Sequence, residues 1–134
     1  MADNDYAIVV GINKYKHLRD LKGPVNDAMC FRDWLLAPDG GNVSPDNIKV
    51  VLSESESPHA CPDSSLPANA ISPVVDISQI ERLFTELIDI ADETGHRFGR
   101  LYVFLAGHGL GLTPTETVVL MSEGDAWRRS GFNI

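Results

Sequence analysis

The chain is poor in cysteine. Only two of its 134 residues are cysteines, Cys30 and Cys61, and they form neither a Cys-x-x-Cys pair nor a Cys-x-x-His cluster. This excludes the usual ligand pattern of a structural zinc site. Two widely spaced cysteines also do not make the disulfide framework of a small secreted domain. We therefore expect no metal, and we expect a reducing, cytoplasmic compartment.

The chain also lacks a long apolar run. Its longest apolar stretches are about seven residues, far short of the ~20 residues that span a bilayer. The first residues, Met1 to Asp5, are polar and acidic, whereas a secretory leader starts with a basic segment followed by an apolar one. We therefore expect no contact with a membrane.

Basic residues are in short supply. Nineteen acidic residues face eleven lysines and arginines, which gives a formal net charge of −8. Such a chain is repelled by nucleic acid, since binding phosphates requires Lys and Arg, and basic peptides are its more natural electrostatic partners. The apolar fraction of 43% and the charged fraction of 22% are typical of a globular protein, and the length indicates one domain, residues 1–134.

Apolar runs alternate with helical periodicities along the chain. The pattern predicts strands at Tyr6–Ile12, Ile48–Leu52, Arg100–Ala106 and Thr117–Met121, with helices from an N-cap at Asn26 to about Leu36 and from Asp76 or Ser78 to Gly95. Continuous apolar strands that alternate with helices indicate a mostly parallel sheet covered on both faces, a three-layer α/β/α sandwich. The segment Ser53–Val74, rich in proline and serine, is predicted to be a long flexible loop.

The carboxyl ends of the strands are the expected place for chemistry in an open α/β sheet. His108 comes directly after the third apolar strand and lies between Gly107 and Gly109. A neutral His is the usual general base near pH 7, and the Gly109 N–H is free of a side chain that would block a developing oxyanion. The flanking glycines also permit a positive φ and a close approach by substrate. The alternative is a tight turn with a solvated His.

Two segments together resemble the caspase/metacaspase superfamily. Tyr6–Tyr15 followed by Leu21–Ala28 resembles its first strand, which ends in Gly-Ile-Asn and leads to a Leu-x-Gly-x-x-Asn-Asp-Ala helix start. Leu101–Gly109 resembles its apolar strand ending in Ala-Gly-His-Gly. The segments occur in the family's order, and the resemblance spans Tyr6 to about Met121.

This resemblance implies a caspase-like fold and a role for three residues. His108 would be the catalytic His of a Cys–His dyad, Gly109 would supply an oxyanion-hole N–H, and Asp27 would line the S1 pocket and select Arg or Lys at P1. A carboxylate facing a guanidinium is a sound basis for that choice. The alternative for Asp27 is a first-turn carboxylate that interacts with the helix dipole. No cofactor is implied, and dependence on calcium is left open.

The nucleophile is missing from this resemblance. In the family it follows the His on a further strand ending in Asp-x-Cys, a motif absent here, and the four predicted strands fall short of the family's six, so we expect an incomplete domain. Cys30 is predicted to be a buried core thiol, and Cys61 lies on no strand end. The chain would therefore be part of a cysteine endopeptidase completed by a C-terminal part, or an inactive caspase-like interaction or regulatory module.

A nucleotide-binding domain is a third hypothesis. It would use the glycines of residues 107–111 as a phosphate loop. The segment lacks the Gly-x-Gly-x-x-Gly spacing, and no clear helix follows to offer its N-terminus. We therefore favour the other two hypotheses, the part of a cysteine endopeptidase and the inactive interaction or regulatory module.

Overall fold

The structure is a computed structural model that describes residues 4–54, 70–95, 99–113, 116–123 and 131–133. It confirms the α/β class. The elements are β1 (Asp5–Gly11), α1 (Pro24–Leu36), a 3₁₀ turn (Pro45–Asn47), β2 (Ile48–Ser53), β3 (Ile71–Ser72), α2 (Ile77–Thr94), β4 (Arg100–Ala106), β5 (Gly109–Thr113), β6 (Glu116–Leu120) and β7 (Gly131–Asn133).

The main sheet has four strands in the order β3-β2-β1-β4, and every pairing in it is parallel. β1 is central: Val9 pairs with Val50 of β2 on one side and with Phe104 of β4 on the other. From Tyr6 to Gly11 every residue of β1 is buried. This explains the continuous apolar run, because a strand covered on both faces has no polar side.

The two helices cover opposite faces of this sheet. Tyr6, Ile8 and Val10 share a core cluster with the buried face of α2, whereas Ala7 and Val9 belong to the cluster that contains the buried face of α1. Side chains of a strand alternate between its faces, so β1 contributes to both cores. The three-layer arrangement that the sequence predicts is therefore present.

Helix α2 begins where the sequence predicts. The Asp76 carboxylate accepts a hydrogen bond from the Gln79 N–H at 3.0 Å, and the Asp76 N–H donates to Gln79 Oε1 at 2.8 Å, which completes a capping box. Hydrogen bonds from the Ser78 hydroxyl and the Gln79 N–H lower the pKa of Asp76. Gly95 ends the helix in the left-handed region at φ 69°.

Helix α1 begins earlier than predicted. Its N-cap is Gly23 and not Asn26, and Pro24 occupies the first turn. Proline suits this position because its fixed φ is already helical and its missing N–H has no partner to lose. The helix lies tightly against the end of β1. A Cβ on Gly11 would stand 2.7 Å from the Pro24 carbonyl oxygen and 2.9 Å from the Ala28 Cβ.

The fourth strand of the main sheet was predicted wrongly. The Thr117–Met121 run forms β6 one residue earlier, and it pairs antiparallel with β5 and β7 in a separate three-stranded sheet. The fourth strand of the main sheet is β3, which lies in the segment predicted as a loop, and Ser53 closes β2. Residues 55–69 of that loop lie outside the described residues.

Cys30 also differs from its prediction. It is disulfide-bonded and only partly buried on α1, so it is not a free core thiol. Cys61 lies outside the described residues. Within the described segments, neither helix has the length and apolar character needed to cross a bilayer.

Candidate active site

His108 and the first turn of α1 lie at the same edge of the main sheet. His108 follows the carboxyl end of β4, and α1 starts beside the carboxyl end of the parallel neighbour β1. The Ile12 N–H donates to the Ala106 carbonyl at 2.9 Å, so the chain leaves the two strands side by side. This edge is where ligands bind in open α/β sheets.

The backbone of His108 is held at both of its polar groups. Its N–H donates to the Tyr15 hydroxyl oxygen at 2.7 Å, and its carbonyl accepts from the Leu120 N–H at 2.8 Å. The Tyr15 hydroxyl in turn donates to the Leu120 carbonyl at 3.4 Å. The His108 backbone is therefore fixed between the loop after β1 and the end of β6.

The imidazole of His108 is oriented by the same loop. Its Nε2 lies 2.8 Å from the Arg19 carbonyl oxygen, and its ring meets the Tyr15 ring edge-on, with centroids 4.6 Å apart and planes at 72°. A carbonyl oxygen can only accept, so Nε2 carries the proton in this contact and Nδ1 is the basic nitrogen of the neutral ring. His108 is only partly buried, which leaves room for a reactant.

Asp20 supports the loop that holds His108. Its carboxylate accepts from the Tyr15 N–H at 3.1 Å and from the Lys14 ammonium at 3.2 Å. These two hydrogen bonds, the one from Tyr15 first, lower the pKa of Asp20. Its contribution to loop stability is complete above the unfolded-state pKa and is lost as the pH falls through the lower folded-state pKa. This contribution is therefore present at neutral pH.

Ser122 joins three segments near this loop. Its carbonyl accepts from the Lys16 N–H at 2.8 Å, its N–H donates to the Val75 carbonyl at 3.0 Å, and its hydroxyl accepts from the Val75 N–H at 2.9 Å. Ser122 itself is buried. One residue thus links the loop after β1, the segment before α2 and the end of β6.

The glycines beside His108 act differently from the expectation. Among the described glycines only Gly95 has a positive φ, so neither Gly107 nor Gly109 uses that freedom. Gly107 allows the Tyr15 hydroxyl to come close to the backbone, because a Cβ at this position would overlap the hydroxyl oxygen. Gly109 is exposed, and the nearest atom to a Cβ on it would be the Val118 carbonyl oxygen at 3.7 Å.

Asp27 is exposed on the first turn of α1, at the same edge as His108. One of its carboxylate oxygens would lie 3.7 Å from a Cβ on Gly23, in ordinary contact. This position is compatible with the S1 role and with the helix-dipole role, so the choice between them stays a prediction. Within the described ranges, no three His, Cys, Asp or Glu side chains are grouped to hold a metal ion.

Comparison with known proteins identifies the family. The profile of the caspase domain, the peptidase C14 family, matches residues 4–127. The chain is also similar to a probable protease from a Desulfuromonadales bacterium, with 35% identity over 108 residues. The chain belongs to the caspase-domain family of peptidases. The matched region covers 79% of this chain but 12% of that relative, so the chain spans only a small part of the relative's length.

Proposed function

We propose that the chain is the histidine-bearing part of a cysteine endopeptidase. The observation that carries this proposal is the His108 imidazole, which has Nε2 on the Arg19 carbonyl and Nδ1 left as the base. Membership of the peptidase C14 family supports peptide or protein substrates. The nucleophilic cysteine would come from a C-terminal part of the domain, and we call the chain continued by that part the completed protein.

The reaction follows from general chemistry. Nδ1 of His108 removes the thiol proton of that cysteine, and the thiolate attacks the scissile carbonyl carbon. The Gly109 N–H donates to the resulting oxyanion. The imidazolium then gives its proton to the leaving amine as the C–N bond breaks, which leaves an acyl-enzyme. Water hydrolyses this thioester with His108 again as the base, and the free cysteine returns.

The free edge of β4 supports a missing part of the domain. β4 pairs with β1, and no other described strand pairs with its second edge. On the α2 side of the sheet, Leu101 and Val103 are 45% and 44% exposed. A parallel strand normally has both faces covered. These exposed apolar side chains are therefore typical of an interior strand that pairs with a further strand and is covered by a further element.

The opposite face of β4 supports the same conclusion. Phe31 and Trp34 of α1 stack at 5.7 Å, and Phe31 stacks on Phe104 of β4 at 4.9 Å. Tyr102 completes the aromatic cluster edge-on to Trp34, which is 45% exposed. An exposed aromatic side chain beside an uncovered edge strand favours a further packed element. We therefore propose that the C-terminal part adds to β4 and covers both faces.

The choice of substrate is proposed to rest on Asp27. Asp27→Asn in the completed protein is expected to lower kcat/KM for an Arg-P1 reporter peptide about 10- to 100-fold, because a hydrogen bond to a charged group contributes a factor of about this size to binding. Asp46→Asn is the matched control, because Asp46 is an exposed carboxylate beside the amino end of β2, at the opposite edge of the sheet. Unchanged Arg-P1 cleavage, or a preference for Asp-P1 peptides, would contradict the S1 role and favour the helix-dipole role.

The proposed activity is tested on the completed protein. We expect it to cleave Arg- or Lys-P1 reporter peptides, and we expect iodoacetamide to abolish cleavage by alkylating the thiolate. The isolated 134-residue chain should cleave nothing, because it lacks the nucleophile. Cleavage that survives alkylation would refute a cysteine mechanism.

The second candidate is an inactive interaction or regulatory module on the same fold. The uncovered apolar edge of β4 favours it, since a partner strand would pair there as well. Binding of a partner strand to β4 of the 134-residue chain, together with a completed protein that cleaves no peptide, would establish it. A cytoplasmic location stays a prediction, and the disulfide bond of Cys30 counts against it.

A further inference from the structure

We propose that Tyr15 is a positioning residue that holds the His108 imidazole in its reactive orientation. The proposal rests on the proposed function for its catalytic meaning, but the contact itself is a property of this chain. Tyr15 touches His108 twice, through its hydroxyl on the backbone N–H and through its ring on the imidazole. No other described side chain has two such contacts with His108.

The hydroxyl of Tyr15 is suited to this task. It accepts from His108 and donates to the Leu120 carbonyl, so both of its hydrogen-bonding roles are used. Burial raises the pKa of Tyr15 to about 12, against a smaller opposing contribution from the His108 N–H. The phenol therefore keeps its proton throughout the working range of a His-dependent peptidase and never becomes a competing charge beside the imidazole.

Gly107 provides the space that this hydroxyl occupies. Gly107 precedes His108, and any larger residue there would place its Cβ on the Tyr15 hydroxyl oxygen. Gly107 has no positive φ that would require glycine on its own account. The close approach of the hydroxyl is therefore a steric reason for glycine at this position.

Tyr15 and the Arg19 carbonyl act from one loop. Asp20 stabilises this loop, because its carboxylate accepts a hydrogen bond from the Tyr15 N–H. Asp20 directly follows Arg19, whose carbonyl accepts the hydrogen bond from His108 Nε2. Arg19 fixes the proton on Nε2, and Tyr15 fixes the position of the ring. Loss of the hydroxyl should therefore loosen the ring without removing the Nε2 contact.

The test is Tyr15→Phe in the 134-residue chain, followed by NMR. We expect the His108 amide proton to exchange at least about 10-fold faster, because its acceptor is gone. We also expect the imidazole ¹⁵N signals to move towards those of a free histidine. Tyr102→Phe is the matched control, since the Tyr102 hydroxyl contacts only the Arg100 guanidinium among the described contacts, at 3.5 Å.

A second variant covers the case in which Tyr15→Phe does not fold. Gly107→Ala keeps Tyr15 but pushes its hydroxyl away, and it should produce the same changes at His108. His108 signals and exchange that match those of Tyr102→Phe in both variants would overturn the proposal. In the completed protein, Tyr15→Phe should lower kcat about 10-fold with KM within about twofold.

The two proposals fail separately. If the NMR changes appear but the unaltered completed protein cleaves nothing, the peptidase function is wrong and Tyr15 still positions His108. If the completed protein is active and kcat is the same in Tyr15→Phe and Tyr102→Phe, the positioning role is wrong.

Discussion

His108→Ala in the completed protein is expected to lower kcat/KM for a reporter peptide about 10³-fold or more. A general acid–base residue contributes typically about 10²–10⁴-fold, and His108 would both activate the thiol and protonate the leaving amine. Because His108 is only partly buried and its backbone hydrogen bonds to Tyr15 and Leu120 survive the change, removing the ring should leave the fold intact. KM should change little, because the imidazole acts mainly in the transition state.

His17→Ala is the matched control for this change. His17 is an exposed histidine of the same loop, and its replacement should leave kcat/KM within about twofold of the original value. Steady-state cleavage of Arg-P1 and Lys-P1 reporters measures both variants. Equal activity of His108→Ala and the unaltered protein would remove His108 from the mechanism and favour the interaction module.

Gly11→Ala is expected to cost about 3 kcal/mol of unfolding free energy, at the upper end of overpacking penalties. The new methyl group would lie 2.7 Å from the Pro24 carbonyl oxygen and 3.0 Å from the Val25 Cα, and both are backbone atoms of α1 that no rotamer change moves aside. Either α1 shifts away from β1 or the strand end distorts. Since the first turn of α1 carries Asp27, we also expect weaker selection at P1.

Gly109→Ala is the matched control for the steric argument. The nearest atom to its new Cβ is at 3.7 Å, an ordinary contact, so its free energy of unfolding should stay within about 0.5 kcal/mol. Urea unfolding followed by circular dichroism measures both variants. A cost below about 1 kcal/mol for Gly11→Ala would mean that the close approach of α1 to β1 is easily relaxed.

Local patterns in the sequence predict the elements that depend on neighbouring residues. β1 and β4 follow from continuous apolar runs, and α2 follows from its apolar period together with Asp76 at its start and Gly95 at its end. The strand β3 could not be predicted from a local pattern, because it has only two residues and is defined by its pairing with Leu52 and Ser53. The second sheet is missed for the same reason, since β5 is rich in glycine and gains its form from β6.

The site divides in a similar way. The candidate residues His108 and Gly109 are predicted from a motif, because a His between glycines at a strand end is a local signal. Tyr15 is missed, although an aromatic residue in the loop after the first strand was visible, because its partner lies 93 residues away. Arg19 is also missed, since it acts through a backbone carbonyl that no side-chain pattern records. The disulfide state of Cys30 likewise depends on spatial proximity.

The hydrogen bonds of Ser122 join three segments at the proposed catalytic edge. Because Ser122 bonds to both Lys16 and Val75, opening the loop that holds His108 would loosen a residue that also holds the segment before α2. A ligand that ordered this loop would therefore also order the start of α2, which lies at the same carboxyl edge of the sheet. Mutations that loosen residues 73–76 would reach His108 by the same route, with no contact to the imidazole.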